Sequence, residues 1–209
     1  MVEDITQKIP YTPEKNLAKE NISNVGIGLF IVDLESKKIW VIEELVDKNS
    51  TGRKSGKVSI PMETRKKGET IVENVLGGFS EFRELQNGEE LIWVNNRVSY
   101  KGRYPFVKGC VADVVMVGLK NIKRESDLSS HLKSSEVSSM GWKDIDEILK
   151  IPNLRDGVKE YLKLAKREHW IDKFVIEVNS GNEKQYVCKK GEKTLEYLKI
   201  REEKPDFSN

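Results

Sequence analysis

The segment Pro61-Met62-Glu63-Thr64-Arg65-Lys66-Lys67-Gly68-Glu69-Thr70, with the fifteen or so residues after it, constrains this chain most. It begins as a polar, basic loop and continues with apolar residues at Val72, Val75, Leu76, Phe79 and Phe82. That spacing favours an amphipathic helix over a strand. The helix is predicted to start near Gly68 to Thr70, and Thr70 with Glu73 has capping-box spacing. Glu69, Glu73, Glu81 and Glu84 recur along the same segment. One side of such a helix buries while the other gathers carboxylates, an arrangement suited to a hard divalent cation and a phosphate. Gly77 and Gly78 interrupt the acidic side, each costing about 1 kcal/mol relative to alanine in an exposed helix interior. They mark a kink, a close helix–strand contact or an opening for ligand.

Around this unit, 25–32 is a compact apolar run predicted as a central strand, followed by a turn over 33–38 and a strand over 39–42. Asn49 to Gly56 is rich in turn formers and basic residues and reads as a mobile loop. Residues 90–94 and 97–100 suggest a hairpin turning at Asn95-Asn96, and 110–117 is a second buried strand. Lys123 to Ser135 is a polar loop, 143–150 a helix, and 155–167 a longer helix. Residues 171–178 and 185–189 read as paired strands, with a short helix over 193–201. Gly26 and Gly28 lie within an apolar strand and lack the third glycine and the helix of a dinucleotide fingerprint.

The balance of 36 Lys plus Arg against 34 Asp plus Glu leaves a net charge of +2, which gives no support to general nucleic-acid binding. Only Cys110 and Cys188 are present, without zinc-site spacing, and two histidines, His131 and His169, exclude a histidine-rich metal centre. No segment has the length and apolarity of a membrane span or a signal peptide, so a cytoplasmic location is the expectation.

The chain resembles a divergent Nudix domain. That family's box is a glycine, five residues, a glutamate, seven residues, then Arg-Glu-U-x-Glu-Glu-x-Gly-U, with U bulky and apolar. Aligned without gaps, Glu63 takes the first glycine position and Glu69 the first glutamate. Gly77 and Gly78 replace the Arg-Glu pair, Phe79 satisfies U, Glu81 retains a metal-binding glutamate and Phe82 replaces its neighbour. Arg83 and Glu84 stand at the final x and Gly. A competing register through Arg83-Glu84-Leu85 keeps Arg-Glu-Leu but needs an insertion. The resemblance implies an α/β fold, a Nudix-like α/β/α sandwich around a mixed β-sheet. It divides the chain into an N-terminal arm (1–24), a Nudix-like domain (25–165) and a small C-terminal α+β extension (166–209).

The resemblance also implies roles. Glu69 and Glu81, with Glu73 and Glu84 compensating, would hold Mg²⁺ or Mn²⁺, and Glu63 could approach from the loop. Glu81 and Glu136 would be catalytic, Glu136 as a general base from a late loop. Arg53, Lys57 and Arg65 would bind substrate phosphates. Two functions remain open. One is a metal-dependent hydrolase of a nucleotide-linked or other organic diphosphate. The other is a catalytically inactive Nudix-like module that binds a nucleotide or a protein, favoured by the residues at 77, 78 and 82. The extension offers a lid, a homodimer contact or a partner surface.

Overall fold

Two strands, β1 (Asn24–Asp33) and β7 (Cys110–Lys120), lie parallel at the centre of the sheet, in register from Asn24 opposite Cys110 to Asp33 opposite Leu119. Both are near-continuous apolar runs because helices cover both of their faces. They belong to a computed structural model that describes residues 24–64, 71–94, 98–107, 109–122, 134–183, 185–190 and 199–200. Beyond β1, β2 (Ile39–Glu44) returns antiparallel through Val32 and Ile39, and it carries β3 (Val58–Ser59) and β8 (Val137–Lys143). The other end of the same β1 edge pairs with β4 (Met62–Thr64), which sets Glu63 opposite Ile27.

On the far edge of β7, β5 (Glu90–Val94) and β6 (Tyr100–Val107) lie end to end. β5 covers Gly118 to Lys120 and β6 covers Cys110 to Val115. β5 and β6 therefore do not form the expected hairpin with each other. The tight turn falls after β6, at Gly109, whose φ of 76° suits a glycine. β9 (Gln185–Lys189) pairs with the free edge of β5, and β10 (Lys199–Ile200) pairs with β9.

Alternation along β1 and β7 splits the core into two layers. Ile27, Leu29, Ile31, Val115 and Val117 face α1 (Ile71–Phe82), which buries Val75, Phe79 and Phe82 at i, i+4 and i+7. Phe30, Val32, Val114 and Met116 face α3 (Val158–Arg167) and α4 (Trp170–Ser180). Between β8 and α3 lies the short α2 (Ile145–Leu149), with Asp144 and Glu147 forming a capping box. The result is an α/β/α sandwich around a mixed sheet, with a small α+β extension, as the resemblance implies.

Three sequence expectations fail here. The strand over 171–178 is helix α4. Its buried residues are Trp170, Phe174, Val175 and Val178, a helical spacing, and the β-branched residues among them misled the sequence reading. His169, at φ 54°, thus joins helix to helix. The strands expected to pair across Asn95-Asn96 both pair with β7 instead, and Asn95 and Asn96 themselves lie outside the described residues. The helix over 193–201 gives way to strand at Lys199–Ile200, and its remainder lies outside the described residues. The polar loop over 123–135 and the helix start at 68–70 lie largely or wholly outside them too. Among the described residues no helix is long and apolar enough to cross a membrane.

Candidate functional site

β4 and α1 bring two carboxyls together. Pairing opposite Ile27 directs Glu63 to the α1 side of the sheet, where its half-buried side chain hydrogen-bonds that of exposed Glu81. Burial pushes the Glu63 carboxyl above its ordinary value of 4.5, and the charge and hydrogen bond of Glu81 push it the same way. The Thr64 backbone N–H and the Lys48 ammonium oppose that rise. Two carboxylates in contact at neutral pH call for a proton or a cation between them.

The glycines of the box explain why the pair can form. A Cβ on Gly78 would lie 3.4 Å from Ile27 Cγ2, 3.4 Å from Leu29 Cδ1 and 3.5 Å from Glu63 Cβ. Gly78 is thus packed closely against β1 and β4, and Gly77 faces open space. Gly26 admits Glu63 from the other side, since a Cβ there would stand 2.9 Å from the Glu63 carbonyl oxygen. Phe82 is buried in the apolar layer, so no ligand group replaces the carboxylate the box expects at that position.

Beside Glu63 opens a narrow slot of about 30 Å³, lined by Gly26, Lys48, Thr51, Arg53 and Arg155 among others. Its basic wall is held by an ion-pair chain. Arg155 Nη1 donates to Glu44 Oε1 at 2.7 Å, both residues being buried, and Arg155 Nη2 donates to the Thr51 carbonyl. Glu44 also accepts from the Lys54 N–H at 3.2 Å and takes the Gly56 N–H on its backbone carbonyl at 2.7 Å. Lys48 and Arg53 exchange backbone hydrogen bonds of 3.0 and 3.1 Å. The loop expected to be mobile is therefore pinned at its base, at its tip and across its neck. Arg53 is 7% exposed, and its Nη1 meets the Glu136 carboxylate while its Nε has no hydrogen-bond partner.

The expected residues fare unequally. Arg53, Glu81 and Glu136 lie at or beside the site, and Arg53 and Glu136 pair with each other. Lys57 precedes β3, where its backbone bonds Glu44 and Lys54. Glu84 is exposed, two residues beyond the end of α1 at Phe82. Glu73 is on α1, but its side chain is not among those described, and Glu69 and Arg65 lie outside the described residues. Among the described residues no group of three His, Cys, Asp or Glu is placed to hold a metal. Asp113, in the same lateral row as Glu63 and Ile27, is occupied by Arg103 at 2.9 and 2.8 Å and by the Tyr100 hydroxyl at 3.0 Å. Sequence reasoning missed Lys48, Glu44 and Arg155. The last two are 111 residues apart and carry no local signal of pairing.

A second cleft, about 450 Å³, lies elsewhere, lined by Leu34, Glu35, Lys120, Asn179, Glu183 and Gln185 among others. Leu34 follows the far end of β1, seven residues from Ile27 and so roughly 23 Å away at the usual strand rise.

No family model matches the chain, and no curated protein matches it in sequence. Among solved structures it is similar to a NUDIX hydrolase from Nitrosomonas europaea, at 15% identity and a TM-score of 0.46, over 70% of this chain and 89% of that one. A MutT protein from Methanosarcina mazei Go1 is similar at 11% identity and 0.45, over 70% and 94%. An ADP-ribose pyrophosphatase from Streptococcus suis is similar at 15% identity and 0.41, over 70% and 91%. At these identities they are likenesses of fold, and the activities in those names belong to those proteins.

Proposed function

We propose that this chain is a divergent Nudix-type hydrolase of a nucleotide-linked or other organic diphosphate, centred on Glu63 and Glu81. The observation that carries the reading is the Glu63–Glu81 carboxyl contact beside a slot walled by Lys48 and Arg53. The donor set fits a hard divalent cation such as Mg²⁺ or Mn²⁺, which binds through one or two carboxylates and fills its remaining positions with water and substrate phosphate. Such an ion would neutralise phosphate charge and activate water. Glu69, Glu73 and Glu84 are the further carboxylates proposed to complete the centre. Lys48 and Arg53, with Lys57 and Arg65 from the flanking loops, would orient the phosphates, so that water attacks phosphorus as the anhydride P–O bond breaks. Glu136, expected as the general base, has its carboxylate on Arg53, and acting as a base requires its release from that pair.

A noncatalytic, phosphate-binding module is the second reading. It is favoured by the packing of Gly78 and the burial of Phe82 where the box carries carboxylates. Phosphate release from a panel of nucleotides and organic diphosphates, with Mg²⁺, Mn²⁺ or chelator, separates the two. For the hydrolase, turnover is metal-dependent and falls at least roughly a hundredfold, the upper range for loss of groups around a metal, in Glu63→Gln and Glu81→Gln. Turnover indifferent to both substitutions, or none across the panel, refutes the catalytic assignment.

A further inference from the structure

We propose that Glu136 is an internal competitor for substrate phosphate: its carboxylate holds the Arg53 guanidinium until a phosphate oxygen takes its place. The inference rests on reading the slot beside Glu63 as the phosphate site. It starts from an asymmetry within the ion pair. The Arg53 side chain is 9% exposed, whereas that of Glu136 is 49% exposed. Glu136 can leave for water at little cost. Arg53 cannot follow it, and the other carboxylate within reach of its charge, Glu44, is already engaged by Arg155, so a buried guanidinium left with that shared partner alone is unfavourable. Departure of Glu136 is therefore coupled to the arrival of another anion.

The surroundings favour that exchange. The Glu136 backbone is fixed at the start of β8, its carbonyl accepting from the Leu45 N–H at 2.8 Å and its N–H donating to Ser134 Oγ at 3.2 Å. Only the side chain has to swing. Arg155 is committed to Glu44 and the Thr51 carbonyl, so it stiffens the wall and is not itself displaced. The planar Arg53 guanidinium carries Nη2–H parallel to the Nη1–H that Glu136 holds, so the edge a departing Glu136 leaves suits two phosphate oxygens at once. Lys48 adds a further positive charge at the slot. The ligand class is a phosphate or diphosphate terminus, and Glu136 sets how much negative charge a substrate must bring.

The test is calorimetric titration of the full chain with inorganic pyrophosphate in chelator, which removes both metal and turnover. Glu136→Gln is expected to tighten pyrophosphate by about fivefold or more, as removal of a competing ion-pair partner should. Glu35→Gln, the same charge change at an exposed residue at the far end of the sheet, should leave affinity unchanged. Arg53→Gln should abolish the gain in the Glu136→Gln background, and Arg53→Lys, which keeps the charge but loses the fork, should recover only part of it. The Arg53 Nε–H resonance should shift on titration. Unchanged or weaker binding in Glu136→Gln overturns the proposal, as does tightening that persists without Arg53 or is matched by Glu35→Gln. Because no catalysis enters, loss of the hydrolase reading through indifference to Glu63 and Glu81 would leave this result standing on its own.

Discussion

A Cβ added to Gly78 would stand 3.5 Å from the Cβ of Glu63, so the helix position that lacks a carboxylate and the strand position that supplies one are immediate neighbours. Glu63 reaches Glu81 across that gap. If Glu63 stands in for the carboxylate missing at 78, the two are interchangeable. Mn²⁺ affinity lost in Glu63→Ala should then return in large part in Glu63→Ala/Gly78→Glu. A double variant no better than the single one would show that the two positions are not equivalent.

The neighbouring glycines divide in the opposite sense. Gly77 is an exposed interior residue of α1 with nothing within 4 Å of the place a methyl group would take, so Gly77→Ala should stabilise the fold by about 0.5–1 kcal/mol. Gly26→Ala meets the Glu63 carbonyl oxygen at 2.9 Å, and should destabilise by about 1–3 kcal/mol while displacing β4. Chemical denaturation of both variants checks the pair.

The raised pKa of Glu63 gives a signed pH dependence. Between its ordinary value of 4.5 and its raised folded value, the folded state binds more proton than the unfolded state. The contribution of this group to stability is therefore fully present below 4.5 and is lost as pH rises through the folded value. Glu63→Gln keeps a neutral hydrogen-bonding group at all pH. It should be more stable than the parent at pH 7 without divalent cation, and the difference should shrink as pH falls toward 4.5. Thermal melts across that range in chelator decide it, and a gap that is constant with pH would refute the assignment.

How much of this was legible in the sequence depends on whether the signal was local. The central strands and α1 announce themselves through continuous or helically spaced apolar runs, and the acidic residue of the loop, Glu63, falls within the segment that the motif singles out. What escaped was set by partners far away. The buried role of Glu44 appears only when Arg155 folds onto it, and Phe82 reads as a lost ligand until its place in the apolar layer shows why it is apolar. In α4, Ile171, Val175, Ile176 and Val178 have strand-like side chains, which locally favour the strand expected there. Burial of Trp170, Phe174, Val175 and Val178 on one helical face overrides that local preference.

The Glu44–Arg155 pair makes a prediction about the loop it holds. Both side chains are buried, and each also binds loop backbone, Glu44 through Lys54 and Arg155 through Thr51. Glu44→Ala leaves Arg155 an uncompensated buried charge and should cost about 3–5 kcal/mol. Glu44→Leu/Arg155→Met should recover much of that loss, since an apolar pair avoids the desolvation of two charges. It would still lack the ties to 51 and 54. Stability should thus return while protection of the 48–56 amides from hydrogen exchange does not, a separation that a purely global effect would not produce.

The C-terminal extension expected from residue 166 onward bears on whether the chain unfolds in one step. Phe174 of α4 is fully buried in the same apolar layer as Phe30, Val114 and Met116 of the central strands, and the Trp170 ring meets Phe30 edge-on at 5.9 Å. β9 continues the sheet beyond β5, with Ile92 opposite Val187. Removing α4 would expose the face of β1 and β7 that it covers, so the extension is proposed to fold with the sheet as one cooperative unit. Phe174→Ala should cost about 3–5 kcal/mol, the usual range for truncating a buried aromatic. It should lower a single transition seen alike by Trp fluorescence and by far-ultraviolet dichroism. Two separated transitions, with only the earlier one shifted, would make residues 166–209 an independent appendage.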